Sequence, residues 1–553
     1  MAVFDDKKIG LGGAVLLLFL LFLLIYPAWH LADREMLGME GELAVAVSEM
    51  QGFDSAPTTH GYLFADAPPL FLLIAKLVSL LGVPAAWILR GLSLLSYFIL
   101  TGLTFLICRR NCGLQAACAA TAVMLSTAIV FDKLPYGSPV ALTALLLYGG
   151  WIVWIEWTLR RSNWNLAWLF AGLFGALIYW NAGVTGLIYF FVPLFLQRRP
   201  LTVWPRLQYA GLYCGGLILA GAVALLWCLQ HGVAPEPGGT ELIPFSIGGY
   251  ITNVLVFPFY AFTRLLPWSF FRWAPFCAAL IPLQLNPLFG KFHRILFLSL
   301  FVLIWFNPAT ASRDLFYLMP LIATMVGSYY WIIARRYGYR FNRFAAFCGW
   351  GFLILALLTG IYLFLPGDIL NTVCRYLSIP SGYLAANRQE LPLLIIAGTE
   401  AGAAFLFALL ILCFKCRFPC WLTLCFLFTA GALLAYAFQM PYWIAQREKQ
   451  HFALEIRDTM SRENFDPAAG IIHTNISGLF AESYYTGYRF RYVDMGELPA
   501  ELPTVYLLTV KAPEDPNRSW SLLWKTEYRG QRIFINKGQL IRSYEDDQYL
   551  EDI

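Results

Sequence analysis

The sequence predicts a polytopic α-helical membrane protein of about thirteen transmembrane helices, followed by a small C-terminal extracytoplasmic α/β domain. Three observations lead there. The 553 residues are 59% hydrophobic and only 13% charged, whereas soluble domains run at about 45–50% apolar and about 25% charged. Long apolar runs recur along residues 1–440, and each span needs about 20 mostly apolar residues. From about residue 441 the chain becomes polar and mixed in charge; "AGIIHTN", "FRYVD", "TVYLLTV" and "RIFIN" read as short strands, and "SGLFAESYYTG" as a helix between the first two with Ser477 as its N-cap.

The apolar runs fall at roughly 9–30, 84–108, 113–131, 137–158, 165–182, 183–197, 207–229, 263–283, 294–309, 315–334, 344–365, 391–414 and 419–440. The first follows Lys7 and Lys8 and is too long for a cleaved signal. It reads as a retained anchor. With those lysines inside, alternate short loops carry Arg109/Arg110, Arg160/Arg161, Arg198/Arg199/Arg206, Lys291/Arg294, Arg335/Arg336/Arg340/Arg343 and Lys415/Arg417. The positive-inside rule then places the loop at 31–83 and the C-terminus outside the membrane. The expected location is the inner (plasma) membrane, with the region 441–553 on its outer side.

Composition also excludes classes. The net charge of +5 is small and dispersed, so no nucleic-acid partner is expected. The twelve cysteines lie almost wholly in or beside apolar runs. Cys413, Cys416, Cys420 and Cys425 have a metal-like spacing but lack His or Asp company, and they read as thiols packed in the membrane. No Gly-rich phosphate loop is present, and no metal or cofactor is expected.

The loop at 31–83 is the unusual segment. "LADREMLGMEGELAVAVSEM", residues 31–50, carries five carboxylates. From Glu40 the spacing predicts a helix with Glu40, Leu43, Ala44 and Val47 on its apolar face. Glu42 and Glu49 then point to water. A carboxylate on the buried face is costly unless paired or used. "GYLFADAPPLFLLIAKLVSLLG" follows, in which Pro68 and Pro69 suit a helix start and Asp66 a cap. The run after it carries Lys76 and predicts an interfacial amphipathic helix.

These two stretches resemble the first-loop signature of the GT-C glycosyltransferases that use polyprenyl-phosphate sugars. Members include the lipid A aminoarabinose transferases and the bacterial relatives of protein O-mannosyltransferases. Their pattern is Asp-Glu, a helix ending in Arg-Glu-Met, then Glu-Lys-Pro-Pro. The second acid falls on Glu40, the Glu-Met on Glu49 and Met50, the acid before the prolines on Asp66, and the prolines on Pro68 and Pro69. Met39 stands where the first acid is expected and Ala67 where the lysine is. "LLPWSFF" at 265–271 resembles the family's Leu-Pro-Trp segment. "SRDLFYLMPLIA" at 312–323 resembles its Ser-Lys-x-x-x-Tyr-Leu-Leu-Pro segment, with Arg313 in place of the lysine.

The resemblance implies transfer of a sugar from a polyprenyl-phosphate donor to an extracytoplasmic acceptor, which could be a lipid A-like glycolipid, a glycan or a protein. In that chemistry Glu40 is the expected general base, and Asp66 orients acceptor or sugar. Arg313 is the expected phosphate ligand, because a guanidinium pairs bidentately with phosphate. Tyr317 is one helical turn away. Lys133 and Arg264, at outer span ends, are further candidates for the donor phosphate. Glu400 lies some ten residues into a span, where an ionisable group pairs structurally or handles lipid or protons. A lipid transporter or flippase and a non-catalytic assembly protein are the competing readings.

Overall fold

The structure is a computed structural model. It describes residues 34–197, 210–233, 247–265, 287–307, 311–364, 391–414, 420–493 and 502–540, with short breaks inside these ranges. The anchor expected at 9–30, Lys133 and Cys416 lie outside the described residues, as does nearly all of the span expected at 263–283.

The first loop forms α1 (Met39–Glu49), a short hairpin β1 (Thr58–Thr59) and β2 (Tyr62–Leu63), and α2 (Pro69–Ser79). Helices α3 (Ala85–Cys112), α4 (Leu114–Leu125), α5 (Val140–Ile155) and α6 (Trp164–Phe195) follow. Then come α7 (Ala210–His231), α8 (Ile247–Leu265) and α9 (Pro287–Trp305). A short turn of helix, α10 (Ala311–Asp314), runs through the 3₁₀ segment Leu315–Leu318 into α11 (Met319–Arg336). The helical part ends with α12 (Gly338–Phe364), α13 (Leu391–Phe414) and α14 (Cys420–Ala445).

Five helices among the described residues are long and apolar enough to cross a membrane: Ala85–Cys112, Val140–Thr158, Trp164–Phe195, Tyr339–Leu363 and Leu393–Cys413. The expected thirteen are therefore not reproduced as thirteen such helices, since several apolar runs form shorter ones. The pair expected at 165–182 and 183–197 is instructive. It runs as one helical stretch, Trp164–Phe195, broken at Gly183, which has φ 60° and ψ −154°. A Cβ on Gly186 would lie 2.7 Å from Ile178 Cγ2, and one on Gly175 would lie 2.9 Å from Phe191 Cε2. In a straight helix residues 175 and 191 would be about 24 Å apart. The chain therefore doubles back at Gly183, whose positive φ a side chain would resist. The buried indoles of Trp151, Trp154 and Trp168 fill the space between α5 and α6, and Trp151 Nε1 donates to Phe190 O at 3.0 Å.

Beyond α14, α15 (Glu448–Arg462) leads into a five-stranded mixed sheet of order β4-β3-β5-β7-β6. Strands β3 (Ile471–Thr474), β4 (Arg489–Tyr492), β5 (Thr504–Thr509) and β7 (Gln531–Leu540) contain the four segments read as strands, and α16 (Phe480–Thr486) is the expected helix between the first two. Strand β6 (Arg518–Tyr528) was not foreseen. Its burial pattern is mostly exposed, so it lacks the apolar alternation that reveals a strand. Nor does Ser477 cap α16, whose N-cap position is Leu479. The sheet's core joins Ile472, Phe490, Leu508 and Ile535 to Phe452 and Ile456 of α15.

Candidate active site

Helix α1 is held between the helical bundle and the C-terminal sheet domain. On one side Leu43, Ala44 and Val47 pack with Phe71, Leu72 and Leu89 of α2 and α3. On the other side α16 crosses so closely that a Cβ on Gly41 would sit 2.6 Å from Ala481 N. Only glycine allows that approach. Tyr485 Oη accepts from Met36 N at 2.7 Å, and Tyr484 Oη accepts from Ala86 N at 3.2 Å. His60, at the hairpin tip, stacks on Phe480 with ring centroids 4.8 Å apart. Burial depresses its pKa to about 4, so it serves here as a neutral ring.

This frame gives separate roles to the acids of residues 31–50. Asp33 lies outside the described residues. The Glu35 carboxylate accepts from Lys449 N and Gln450 N, the free amides that open α15, where a negative charge also suits the helix dipole. Glu40 lies on the apolar side of α1 as its spacing predicts and is 1% exposed. Both its oxygens accept from Arg90, Oε1 from Nε and Oε2 from Nη2. Arg90 Nη2 also donates to Arg34 O at 2.9 Å, and the Arg34 guanidinium lies 4.3 Å from the centroid of the Tyr136 ring. Arg90 lies within an apolar run, where a cation calls for a partner.

Glu49 does not point to water as expected. It accepts from Thr58 Oγ1 at 2.8 Å, His60 N at 2.9 Å and Gly61 N at 3.3 Å, and so ties the hairpin to α1. Glu42 also departs from expectation, being half-buried rather than solvated. Its carboxyl makes no hydrogen bond or ion pair among the described residues. Burial, assisted by the charge of Asp66, pushes its pKa up to about 7. Asp66 does not cap α2, whose N-cap is Pro68 with no side-chain cap bond. Asp66 thus lies close enough for its charge to act on Glu42, and Glu42 is a partly buried carboxylate without a structural partner among the described residues.

A polar seam leads from Arg90 toward Arg313. One turn beyond Arg90, Ser93 Oγ donates to Ser138 O at 2.6 Å and accepts from Ser138 N at 3.0 Å. Just after Ser138, Thr143 on the first turn of α5 accepts from Asn181 Nδ2 at 2.8 Å and faces Tyr317. Tyr317 in turn faces Arg313. Arg313 Nε donates to Asp314 Oδ1 at 3.2 Å, and Asp314 Oδ2 accepts from Tyr189 Oη at 2.8 Å. Arg313 Nη2 is buried without a hydrogen-bond partner among the described residues. A buried guanidinium N–H in that condition suits an incoming anion.

Arg264 lies in the last turn of α8. Glu400, buried on α13, has no hydrogen-bond partner on either oxygen among the described residues, so the structural pairing expected for it is not seen there. The cavity that opens beside α1 measures about 670 Å³ and is lined by none of Glu40, Asp66 and Arg313.

No protein-family model matches the sequence, and no curated protein matches it. Solved structures do. The structure of ArnT from Cupriavidus metallidurans bound to undecaprenyl phosphate superposes with a TM-score of 0.65 at 14% identity, covering 95% of this chain and 98% of that one. The apo structure of the same protein gives 0.64 at 12% identity, covering 95% and 97%. From the first loop to the C-terminal sheet, this chain has the fold of ArnT.

Proposed function

We propose that the protein is a membrane glycosyltransferase. It moves a sugar from a polyprenyl-phosphate donor to an extracytoplasmic acceptor, which is a lipid A-like glycolipid, a glycan or a protein. The observation that carries this reading is the likeness, over nearly the whole of both chains, to a protein solved with undecaprenyl phosphate. The residues add the chemistry. Displacement at an anomeric carbon needs a base for the acceptor hydroxyl and a cation for the departing phosphate. Glu42 fits the base better than Glu40, because the Glu40 oxygens are both engaged by Arg90. A carboxylate poised near neutrality is well matched to general-base work at physiological pH.

In this scheme the Glu42 carboxylate takes the hydroxyl proton as the acceptor oxygen bonds to the anomeric carbon. The bond from that carbon to the phosphate oxygen breaks, and the electron pair leaves with the polyprenyl phosphate. Asp66 keeps the proton affinity of Glu42 high by its charge. Arg313 and Tyr317 hold the phosphate, with Lys133 and Arg264 as further cations at the same membrane face. Glu40 is a positioning residue: through Arg90 it fixes the rotation of α1 and so the direction of Glu42. The first loop and the C-terminal domain share one end of the bundle, through the contacts of α1 with α16, and in this reading that end is extracytoplasmic.

The test uses the full chain in lipid nanodiscs with a panel of radiolabelled undecaprenyl-phosphate sugars and a detergent extract of envelope glycolipids and glycans. Release of undecaprenyl phosphate, with the sugar recovered on an acceptor, is expected for at least one donor and lost in Glu42→Gln. Binding of the donors without release from any of them would reject the enzyme and favour a lipid carrier.

A further inference from the structure

Arg313 and Asp314 are neighbours where α10 runs into the 3₁₀ turn, and the Asp314 side chain is wholly buried. An aspartate beside an arginine ordinarily takes it bidentately, with both oxygens on parallel N–H groups of the guanidinium. Here Oδ1 accepts from Arg313 Nε at 3.2 Å, but Oδ2 turns away and accepts from Tyr189 Oη at 2.8 Å. Asn307 Nδ2 donates to the same Tyr189 Oη at 3.0 Å. The Tyr189 ring stands edge-on to Tyr317, with centroids 6.1 Å apart. Tyr189 on α6, Asn307 just past α9 and Asp314 on α10 thus converge to hold one carboxylate oxygen off one N–H group. The group spared is Arg313 Nη2, which is buried without a hydrogen-bond partner among the described residues.

A carboxylate fixed at that place bears differently on the two ends of the reaction. The donor is a phosphodiester with one negative charge. When its bond to the anomeric carbon breaks, the electron pair stays on the phosphate oxygen and the product is a monoester. Its second ionisation, at about pH 6, gives it a charge of about −1.5 to −2 at pH 7. A lone cation would hold that product more tightly than the donor and slow its release. With Asp314 locked on the far edge of the guanidinium, each added negative charge meets a carboxylate as well as a cation, and like charges set so close are costly. Among the described residues the titratable and charged groups that face Asp314 are Arg313, Tyr189 and Tyr317.

We propose that Asp314, held by Tyr189 and Asn307, sets the preference of the phosphate site for donor over product. Tyr189 and Asn307 are positioning residues that keep Nη2 open, and the Asp314 charge opposes the second negative charge that the phosphate gains on transfer. The proposal rests on the glycosyltransferase reading and adds a means of product release to it.

The experiment uses the full chain in nanodiscs and two probes, titrated at pH 5 and pH 8. One is undecaprenyl phosphate; the other is undecaprenyl methyl phosphate, a diester with one charge at both pH values. Asp314→Asn should tighten undecaprenyl phosphate at pH 8 by about 10-fold more than it tightens the diester. At pH 5, where both probes carry one charge, the two gains should be equal. Tyr189→Phe should weaken both probes by about 10-fold at both pH values, because Oδ2 is released to close on Nη2. Adding Asp314→Asn should restore most of that loss, since an amide has no second acceptor oxygen. If neither probe binds the wild-type chain, the polyprenyl-donor reading falls. If both bind and Asp314→Asn weakens them alike or changes neither, the acid is a structural partner of Arg313 and this inference falls alone. Should Asp314→Asn fail to fold, Tyr189→Phe decides: a loss confined to binding supports the inference, and unchanged affinity at a wild-type melting temperature overturns it.

Discussion

Replacing Glu42 by Gln separates the two acids of α1 in one measurement. In the folded protein the Glu42 pKa stands near 7, against an ordinary 4.5, with burial the main cause and the charge of Asp66 the second. Because the folded value is the higher one, the folded chain holds its proton more tightly than the unfolded chain. Stability from this group is then fully present below about pH 4.5 and lost as pH rises through 7. A shift of this size corresponds to about 3 kcal/mol at 1.36 kcal/mol per unit, and roughly 1–2 kcal/mol once solvent screening of the half-exposed carboxylate is discounted. Glutamine keeps the shape of the protonated acid but cannot ionise. Glu42→Gln should therefore raise the melting temperature at pH 8 and change it little at pH 5. In the same protein, turnover should fall by about 10²-fold or more if the carboxylate is the base. Wild-type turnover should climb about tenfold per pH unit below 7 and level off above it. Glu40→Gln should behave oppositely, losing stability at both pH values because it leaves Arg90 buried without its counter-ion. Thermal melts of the two variants in nanodiscs, with donor turnover at each pH, decide the matter. A Glu42→Gln protein that turns over normally, or that is destabilised at pH 8, would refute the assignment.

Three further outcomes are expected. Arg90→Met should cost about 3–5 kcal/mol by stranding Glu40, while Arg90→Met with Glu40→Met should recover most of that loss in denaturant melts, as removal of a whole buried pair does. Arg313→Ala should weaken undecaprenyl phosphate binding by about 10-fold or more in a titration, while Arg313→Lys, which keeps a cation beside the buried Asp314, should retain part of it; unchanged affinity in Arg313→Ala removes Arg313 from the site. Cysteines placed at Ser55 and Ser519 should react with an impermeant thiol reagent in intact spheroplasts and one at Ser162 should not; labelling of position 162 alone would reverse the orientation.

What the sequence revealed, and what it concealed, follows from which signals are local. Apolar run length marks helices without reference to anything else, and so the runs that became α3, α5, α12 and α13 were legible. Their lengths do not show where a helix breaks and returns. The reversal at Gly183 depends on packing of Gly175 and Gly186 against residues beyond the turn, and only the polar Asn181 nearby hinted at it. Strands β3, β4, β5 and β7 carry apolar residues that the sheet buries. Strand β6 is paired along its length with β7 but offers an exposed edge, and an edge strand needs no apolar alternation.

The acids show the same division at finer scale. Helical spacing put Glu40 on the buried face, where the structure has it; it gave Glu42 to water, and the structure half-buries it. What spacing does not reveal is Arg90, fifty residues away, which engages both oxygens of Glu40. The expectation that the opposite face is wet did not take account of the C-terminal domain, more than four hundred residues away, whose α16 closes on α1 at Gly41. Once that domain is docked, a face that an isolated amphipathic helix would give to water is partly enclosed. A carboxylate on such a face is neither fully hydrated nor neutralised by a partner, and the charge of Asp66 acts on it. Those are the conditions that raise proton affinity without extinguishing charge. The position before Glu40, where the resemblance leads one to expect an acid, is Met39. Glu42 lies three residues on, nearly one turn along the helix, so a base there would approach a bound donor from almost the same direction. Loss of the acid at position 39 is thus compatible with retained catalysis, provided the C-terminal domain stays docked to keep Glu42 half-buried. Tyr485→Phe, which deletes the bond to Met36 N, probes that condition directly. It should loosen the docking by about 1 kcal/mol and shift the pH midpoint of turnover below 7, toward the ordinary carboxylate range. A midpoint that stays put while the domain demonstrably loosens, as read by amide exchange of α16, would show that Glu42 owes its environment to the bundle alone.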